Sequence, residues 1–349
     1  MSRIKKILNK HPFLFALSAL IHHRKEKDYL RLFSDVQRAV TIDTKPNNLG
    51  KAPVCVFDAT DKIGLFAFLR RVTEFLYYCD NMGFTPYIKW TASDYKDETI
   101  SNTNNAFEYY YKQPGNINEI ALNDSAVVEY SPGSLTMARS FIASDLYHPN
   151  KEFIEKMGEE ASKYLVLKEE VASYIDGFIA EQSIDETTLG VHIRGTDFKK
   201  VYRHHPVFIE TEDYYPFIEE ALSGSNYKNI FLATDDDEIL QSFIKHFKNI
   251  EIIYTKNTVR GNGVLGIHKM AAFNNAISPY REGQNALCDV YSLAACGGLI
   301  SGVSHVSMFA RIIKASKKEI FTYDKILDKG LHKKGINAVK EKFKEETNK

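Results

Sequence analysis

The sequence predicts an α/β protein with two domains, each built on a parallel sheet. Three observations support this fold class. At 349 residues, the chain is longer than a single hydrophobic core usually serves. Residues 53–90 read as one β-α-β unit, and residues 188–323 alternate short apolar runs with helical patterns. Such alternation is typical of parallel strands covered by helices. We therefore expect a first domain at residues 1–185 and a second at residues 186–349.

The first domain opens with clear elements. They are a strand (Pro53–Asp58), a loop (58–64), a helix (Leu65–Met82) and a second strand (Phe84–Trp90). The helix has apolar residues at helical spacing and stops at Gly83. Residues 94–132 are rich in Asn, Tyr and Asp and predict loops and short elements. A helical pattern over residues 140–182 predicts two helices that bridge the domains.

The second domain alternates strands with helices. The predicted strands are Thr188–Ile193, Asn229–Thr234, Glu251–Tyr254, Gly298–Gly302 and Glu319–Tyr323. The predicted helices are Asp213–Leu222, Asp236–His246, Gln284–Cys296 and Ser304–Lys314. Ligands of such sheets bind beyond the carboxyl ends of the strands. Polar residues that follow these strands are therefore the candidates for a site.

Composition narrows the class of protein. Lys plus Arg and Asp plus Glu both number 45, so the net charge is zero. This balance argues against nucleic-acid binding by the chain as a whole, which depends on displacing counterions. The four cysteines form no CxxC pair and have no zinc-site spacing. We expect them to be small buried hydrophobes in a reducing compartment, hence a cytoplasmic protein.

The N-terminal segment contains an apolar run, Pro12–Leu20, between basic residues. The run is too short to span a bilayer, which takes about 20 residues. A helix packed on the first domain is the favoured interpretation. Peripheral contact of residues 1–27 with the inner face of a membrane is the alternative.

The first candidate motif is HIRGTD, which follows the first strand of the second domain. Arg194 can bind a phosphate through two parallel hydrogen bonds. Asp197 can orient that guanidinium or cap the next segment, and His192 can donate to a ribose hydroxyl or a phosphate oxygen. A surface pair of Arg194 with Asp197 is the structural alternative.

The second motif is TDDD, at the end of the next strand. Asp236 and Asp237 suit the start of a helix, where acidic residues are favoured. Thr234 and Asp235 lie nearer the strand edge and are the better candidates for ligand contacts. A competing interpretation is a divalent metal held at Asp235–Asp237 on a diphosphate.

The third motif is SGVSHVS, where a strand turns into a helix. A helix that opens at Ser304, with His305 and Ser307 in its first turn, offers N–H groups and hydroxyls to an anion. With Arg194 at a neighbouring strand end, a diphosphate between them is plausible. Asp289, in the preceding helix, can accept hydrogen bonds from a guanine N1–H and amino group, or it is a surface acid.

These residues resemble the superfamily of α-1,6-fucosyltransferases, nodulation fucosyltransferases and protein O-fucosyltransferases. The segments that carry the resemblance are LGVHIRGTD (Leu189–Asp197), FLATDDDEIL (Phe231–Leu240) and DVYSLAACGGLISGVSHVSMFARII (Asp289–Ile313). The resemblance covers about residues 185–325. It implies a GT-B-like fold of two Rossmann-like domains, with the nucleotide-sugar in the second and the acceptor on the side of the first.

The resemblance also implies roles. Arg194 binds the β-phosphate and stabilises departing GDP, and His192 contacts the nucleotide. Asp289 contacts guanine or ribose, and Asp235 belongs to the donor-site motif. Ser304 and Ser307 contact phosphate.

The chain departs from the superfamily pattern in three places. Gly195 stands where several α-1,6 members have a second arginine. The loop 58–64 lacks the usual Gly-x-Gly-Asn, and no glutamate follows Asp197 closely. A general base for the acceptor hydroxyl is therefore sought at His205 or Glu210, or at His204.

The sequence thus predicts an inverting glycosyltransferase. Its donor is GDP-fucose or a related nucleotide-sugar, its acceptor is a glycan such as a bacterial surface polysaccharide, and no metal is needed. One alternative is a metal-dependent glycosyltransferase with another nucleotide-sugar. Another is a non-catalytic nucleotide-binding protein on the same fold.

Overall fold

The computed structural model describes residues 40–43, 54–59, 63–100, 102–117, 127–130, 148–256, 258–261 and 277–335. It divides the chain into two compact units. The first runs to Val171 and also contains Ala315–Glu319, and the second comprises Ala172–Lys314 and the chain from Ile320 onward. The N-terminal segment 1–27 and part of the loop 58–64 lie outside the described residues.

The first unit contains a four-stranded sheet in the order β1-β4-β2-β3. The strands are β1 (Val40–Asp43), β2 (Val54–Asp58), β3 (Thr85–Lys89) and β4 (Val127–Tyr130). β2 pairs in parallel with both β3 and β4, which confirms the predicted β-α-β start. β1 pairs antiparallel with β4 at the edge, a feature that the sequence did not reveal.

Helix α1 (Leu65–Met82) connects β2 to β3 and has the predicted bounds. Its apolar stripe is buried, and the ring of Phe68 stacks on Trp90 with centroids 4.0 Å apart. Gly83 ends the helix in the left-handed region, with φ of +68°, where glycine carries no Cβ penalty. A short helix α2 (Phe107–Tyr110) and a 3₁₀ turn (Pro114–Asn116) follow.

Two further helices follow, as the sequence predicted: α3 (Lys151–Tyr164) and α4 (Glu169–Glu181). The side chain of Asn150 caps α3 by accepting from the backbone N–H of Phe153 at 2.8 Å. None of the described helices is long and apolar enough to cross a membrane.

The second unit contains a five-stranded sheet in the order β7-β6-β5-β8-β9, in which every pairing is parallel. The strands are β5 (Thr188–Ile193), β6 (Asn229–Thr234), β7 (Glu251–Ile253), β8 (Gly298–Gly302) and β9 (Tyr323–Leu327). The helices are α5 (Tyr215–Gly224), α6 (Asp237–His246), α7 (Pro279–Ala295) and α8 (His305–Ser316). The predicted α/β class with parallel sheets is confirmed.

Strand β5 is central, and every one of its residues is buried. The chain first adds β6 and β7 on one side of β5 and then crosses to add β8 and β9 on the other. The strand order therefore reverses between β5 and β8. Such a reversal leaves a crevice at the carboxyl ends of the two strands, because the connections leave them in opposite directions.

Two elements of the second unit have bounds that differ from the prediction by more than two residues. The last strand is Tyr323–Leu327 rather than Glu319–Tyr323. The prediction followed an apolar run, whereas the observed strand lies after that run at the edge of the sheet, where alternate residues are exposed. Helix α7 begins at Pro279, five residues before the predicted start. Ser278 caps it by accepting from the N–H of Arg281 at 3.3 Å, and proline is favoured at a first helical position.

Candidate functional site

The predicted motifs meet at the crevice between β5 and β8. His192 of β5 lies opposite Ser301 of β8 in the parallel register, at the carboxyl ends of both strands. The turn that begins at Arg194 follows β5, and the turn through Ser304 follows β8 into α8. The site thus sits at the point where ligands of such sheets bind.

His192 is a buried, neutral side chain at this edge. Only 4% of its surface is exposed, and its Nδ1 lies 3.3 Å from Ser304 Oγ. Burial, followed by the positive charges of Arg194 and Arg311, lowers the pKa of His192 to about 3. At neutral pH the imidazole is therefore uncharged, and it can still form hydrogen bonds.

Arg194 is held in place by Asp235 of the neighbouring strand end. Its Nη1 lies 2.5 Å from Asp235 Oδ2, and 23% of the arginine side chain is exposed against 5% of the aspartate side chain. Asp235 also accepts from the backbone N–H of Gly195 and from the hydroxyl of Thr196, both at 2.7 Å. One buried carboxylate thereby fixes the whole turn after β5 and leaves the guanidinium partly accessible.

Asp236, the next residue, also packs against the turn after β5. Its carboxylate caps α6 by accepting from the N–H groups of Glu238 and Ile239, at 3.0 and 3.2 Å. Lys199 Nζ lies 2.8 Å from the other oxygen. A Cβ added to Gly195 would lie 2.3 Å from Asp236 Cβ, so this position accepts glycine alone without movement. The turn as folded therefore has no room for the side chain of a second arginine at residue 195.

The first two carboxylates of the TDDD motif thus form ion pairs within the protein. Asp235 pairs with Arg194 and Asp236 pairs with Lys199, while Asp237 is exposed in the first turn of α6. Thr234 is buried, and its Oγ1 accepts from the N–H of Asp236 at 3.3 Å. The structure therefore shows Thr234 and Asp235 in contacts with protein groups, whereas the sequence suggested ligand contacts.

The start of α8 is capped by Ser304. Ser304 Oγ accepts from the N–H of Ser307 at 3.1 Å and also donates to Ser307 Oγ at 3.1 Å. His305 and Val306, in the first turn, are only partly buried. A helix start carries partial positive charge, which favours an anion at this end.

A buried arginine lies beneath this helix start. Arg311 is 8% exposed, and its Nη1 donates to Ser301 Oγ at 3.2 Å and to the carbonyl of Ser307 at 3.1 Å. Its Nε donates to Asp324 of β9 at 3.0 Å. Arg311 thus ties the end of β8 to the first turn of α8 and adds positive charge beneath the crevice.

Asp289 lies on α7, which packs on β5 and β6, and it is within electrostatic range of Asp235. Burial, with a smaller effect of the Glu282 and Asp235 carboxylates, raises the pKa of Asp289 to about 7, against the lowering effects of the Thr255 hydrogen bond and of Arg260. Thr255 Oγ1 donates to Asp289 Oδ1. With a pKa of about 7, both the neutral and the ionised form of Asp289 are accessible near neutral pH.

The sequence did not reveal the groups around Asp289. Arg260 donates from Nε to the carbonyl of Thr234 at 3.2 Å and from Nη2 to the carbonyl of Thr255 at 2.7 Å. Glu282 accepts from the hydroxyl of Thr258 at 2.9 Å. These contacts pin the loop after β7 to the end of β6 and to α7. The residues are too far apart in sequence to form a motif.

The proposed bases lie on the segment after the 3₁₀ turn Thr196–Lys199. His205 is exposed, and its ring centroid lies 5.4 Å from that of Tyr202. Glu210 is also exposed, and its N–H donates to Asp213 at 3.1 Å. Their role as a base stays a prediction, and the side chain of Asp197 lies outside the described part of the chain.

Comparison with known proteins decides the family. The family described as Nodulation protein Z (NodZ) matches residues 153–333, more than half of the chain. The chain belongs to the NodZ family. Membership confirms the fucosyltransferase superfamily that the three motifs indicated, and with it the class of enzyme, a glycosyltransferase. Each of the two units contains a sheet with parallel pairings, as the predicted α/β class requires.

Solved structures with a similar chain include members of the same superfamily. NodZ α-1,6-fucosyltransferase soaked with GDP-fucose is 18% identical, with 75% of this chain and 92% of that chain covered and a TM-score of 0.47. Fucosyltransferase NodZ from Bradyrhizobium is 16% identical, with 74% and 92% covered and a TM-score of 0.42. POFUT1 in complex with GDP is 10% identical, with 81% and 99% covered and a TM-score of 0.43. No curated protein matches the chain.

Proposed function

We propose that this NodZ-family chain transfers fucose from GDP-fucose to a hydroxyl group of a glycan, with inversion at the anomeric carbon and without a metal ion. The acceptor oxygen forms a bond to C1 of fucose as the bond from C1 to the diphosphate oxygen breaks. GDP leaves with that electron pair, and the proton of the hydroxyl passes to a base. A bacterial surface polysaccharide is the acceptor class that we favour.

The observation that carries this proposal is the pairing of Arg194 with Asp235 at the reversal of strand order. The ion pair holds a partly exposed guanidinium at the end of β5, in a cleft that Gly302 and Val303 at the end of β8 also line. Negative charge develops on the diphosphate as GDP departs. Cationic and N–H groups already in place stabilise that charge without reorganisation, which is usually the largest contribution to such catalysis.

The remaining side chains fit parts of a guanine nucleotide. His192 is neutral, so it can bond a hydroxyl or a phosphate oxygen without adding charge. The Asp289 carboxylate can accept from the N1–H and amino group of guanine. Ser304 lies at the start of α8, where a phosphate is favoured, whereas Ser307 is buried and donates its hydroxyl to the carbonyl of Gly302 at 3.0 Å. UDP has no donor pair that matches the Asp289 carboxylate.

Metal independence is supported by the partners of the acidic residues. Asp235 and Asp236 each face a cation of the protein, Arg194 and Lys199 respectively. A divalent ion at this place would have to displace both. The charge of the leaving diphosphate would instead be met by Arg194.

Titration calorimetry in EDTA tests the proposal with GDP, GDP-fucose and UDP as ligands. We expect GDP and GDP-fucose to bind and UDP to bind at least about 10-fold more weakly, because a site that loses its paired hydrogen bonds rejects the wrong base. A chain that binds GDP only after Mn²⁺ or Mg²⁺ is added would instead support the metal-dependent alternative. A chain that binds GDP-fucose but never releases GDP, with any glycan offered, would support the non-catalytic alternative.

The base is tested separately. His205→Ala and Glu210→Gln are expected to lower the rate of fucose transfer while the affinity for GDP stays within about twofold, because a general base contributes roughly 10²–10⁴-fold to rate and not to donor binding. If both variants keep the full transfer rate, the base lies elsewhere in the chain.

A further inference from the structure

Two segments of the second unit form a surface rich in positive charge, called here the basic face. They are residues 199–207 and 328–335, and they lie side by side. The N–H of His332 donates to the carbonyl of His205 at 2.9 Å, and two further backbone hydrogen bonds join the segments. Backbone pairing therefore holds the two segments together as one surface.

The charge of the basic face contrasts with that of the whole chain. The two segments contain six lysine and arginine residues and one acid, Asp328, whereas the chain has a net charge of zero. Lys199 pairs with Asp236, and Lys329 pairs with Asp213. The other four cations form no ion pair with any described residue, and all but the first are exposed: Lys200, Arg203, Lys333 and Lys334. The face thus presents a positive charge that the described part of the protein does not neutralise.

Two aliphatic side chains are exposed within the same face. Val201 is 48% exposed and Leu331 is 40% exposed, and only four other large apolar side chains are exposed in the described part of the chain. Exposed aliphatic groups among basic residues are typical of surfaces that rest on an anionic bilayer, where the cations meet lipid phosphates and the aliphatic groups enter the headgroup region. A soluble polyanion would give the cations partners but would leave Val201 and Leu331 in water.

The basic face adjoins the cleft that Arg194 lines. Pro206, Val207 and Asp328 belong to the face, and they line that cleft together with Arg194. We propose that the basic face docks the chain on the surface of a membrane that contains anionic phospholipids. Under the proposed function, the donor site would then lie next to the bilayer, within reach of an acceptor that a lipid carries.

Vesicle flotation tests the docking on the full chain. No nucleotide is added, so the result does not depend on the proposed function. The probes are vesicles of phosphatidylcholine alone and vesicles that also contain about 30% phosphatidylglycerol, an anionic lipid. At low salt we expect at least about 50-fold tighter binding to the anionic vesicles, since each basic residue near such a surface contributes about fivefold to affinity. Binding should be largely lost in about 0.5 M NaCl, because salt screens the attraction.

A variant that lacks the four unpaired charges locates the contact. It combines Lys200→Gln, Arg203→Gln, Lys333→Gln and Lys334→Gln, and its affinity for the anionic vesicles should fall about 100-fold or more. The matched control loses the same charge from exposed lysines that lie before β6 and β7, in the last turn of α6 and just after α8. It combines Lys228→Gln, Lys248→Gln, Lys245→Gln and Lys317→Gln. Its affinity should fall less than about threefold, because charges away from the contact are screened. Urea denaturation checks that both variants are folded.

A second variant tests the aliphatic groups. Val201→Ser combined with Leu331→Ser keeps every charge and should weaken binding to the anionic vesicles about 10-fold, because two apolar side chains no longer leave water. Val166→Ser combined with Ile320→Ser is the matched control, since these side chains are 49% and 79% exposed outside the basic face. This control should bind as the wild type does.

Three results would overturn the proposal. The first is a wild type that does not bind the anionic vesicles. The second is wild-type affinity in the four-glutamine variant, which would place the contact elsewhere, such as in residues 1–27. The third is wild-type affinity in the variant with Val201→Ser and Leu331→Ser, because charge alone would then account for binding. Displacement of the vesicles by soluble polygalacturonate in that case would identify the face as a surface for an acidic glycan.

Discussion

The turns after β5 and after β8 lie at the same edge of the second sheet but are held by different means. The turn after β5 depends on one buried carboxylate, Asp235, which binds a guanidinium, a backbone N–H and a hydroxyl. The turn after β8 depends on the neutral cap that Ser304 places on α8. The first turn therefore supplies a positioned charge, and the second supplies a helix start.

This difference implies unequal sensitivity to mutation. Loss of a charged group from a buried ion pair leaves its partner uncompensated, which costs about 3–5 kcal/mol. Loss of a neutral helix cap costs about 1 kcal/mol. Substitutions in the turn after β5 should therefore disturb both stability and nucleotide binding far more than those after β8.

The largest effect is expected for Arg194→Ala. Hydrogen bonds to charged groups contribute about 1.5–3 kcal/mol each, so the affinity for GDP should fall by roughly 100-fold. Arg203→Ala is the matched control, because Arg203 is exposed on the following segment. It should change the dissociation constant less than about twofold, since an exposed charge contributes little. Equal losses in the two variants would remove Arg194 from the centre of the site.

Asp289→Asn is expected to reduce GDP affinity about 10-fold and to flatten its pH dependence, because one charged acceptor is lost. The wild-type carboxyl has a pKa raised to about 7 by burial. Only its ionised form can accept from both the N1–H and the amino group of guanine, so wild-type affinity should rise as pH increases from 6 to 8. Titrations at each pH measure this slope.

Glu160→Gln supplies the control for that prediction. Glu160 belongs to the first unit, and burial likewise raises its pKa to about 7. A carboxyl with a raised folded-state pKa stabilises the fold below its unfolded pKa, and this contribution is lost as pH rises towards 7. In Asp289→Asn and in Glu160→Gln, the free energy of unfolding should therefore decrease less between pH 4 and 7 than in the wild type. Glu160→Gln should nevertheless keep the wild-type pH dependence of GDP binding.

Gly195→Ala breaks the turn after β5 without removing a charge. The added Cβ would lie 2.3 Å from Asp236 Cβ, so the turn or the start of α6 must move. We expect a loss of about 1–3 kcal/mol in the free energy of unfolding, as for other overpacked sites. Gly177→Ala is the control, since a Cβ there meets nothing within 4 Å. Urea denaturation measures both, and a fully stable Gly195→Ala would contradict the tight packing.

The smallest effect is expected for the cap of α8. Ser304→Ala should cost about 1 kcal/mol of stability, and Ser304→Asp should restore the cap, since aspartate also caps helices well. The aspartate would nevertheless repel a phosphate at the helix start. Tighter GDP binding by Ser304→Asp than by Ser304→Ala would show that the phosphate binds elsewhere.

The sequence predicted the strands of the site more reliably than the contacts of its side chains. β5, β6 and β8 have the predicted bounds, because each is a short apolar run between polar residues. β9 was placed too early, because edge strands are polar on alternate residues and the apolar run before it was more conspicuous.

The contacts between side chains on different strands could not be predicted from the sequence. Asp235 and Arg194 both lie at strand ends, as the strand patterns predicted, but their pairing depends on the register of β5 with β6. The Arg260 and Glu282 contacts depend on how a loop returns to the sheet. Local patterns carry no information on such long-range geometry.

A double-mutant cycle on GDP affinity tests most directly whether Asp235 acts through Arg194. The variants are Arg194→Ala, Asp235→Asn and the two combined, titrated with GDP in EDTA. If Asp235 only positions Arg194, the double variant should bind GDP as weakly as Arg194→Ala alone, because the two losses describe one interaction. Losses that add in full would show instead that Asp235 contributes to the nucleotide site independently of Arg194, which would contradict this account.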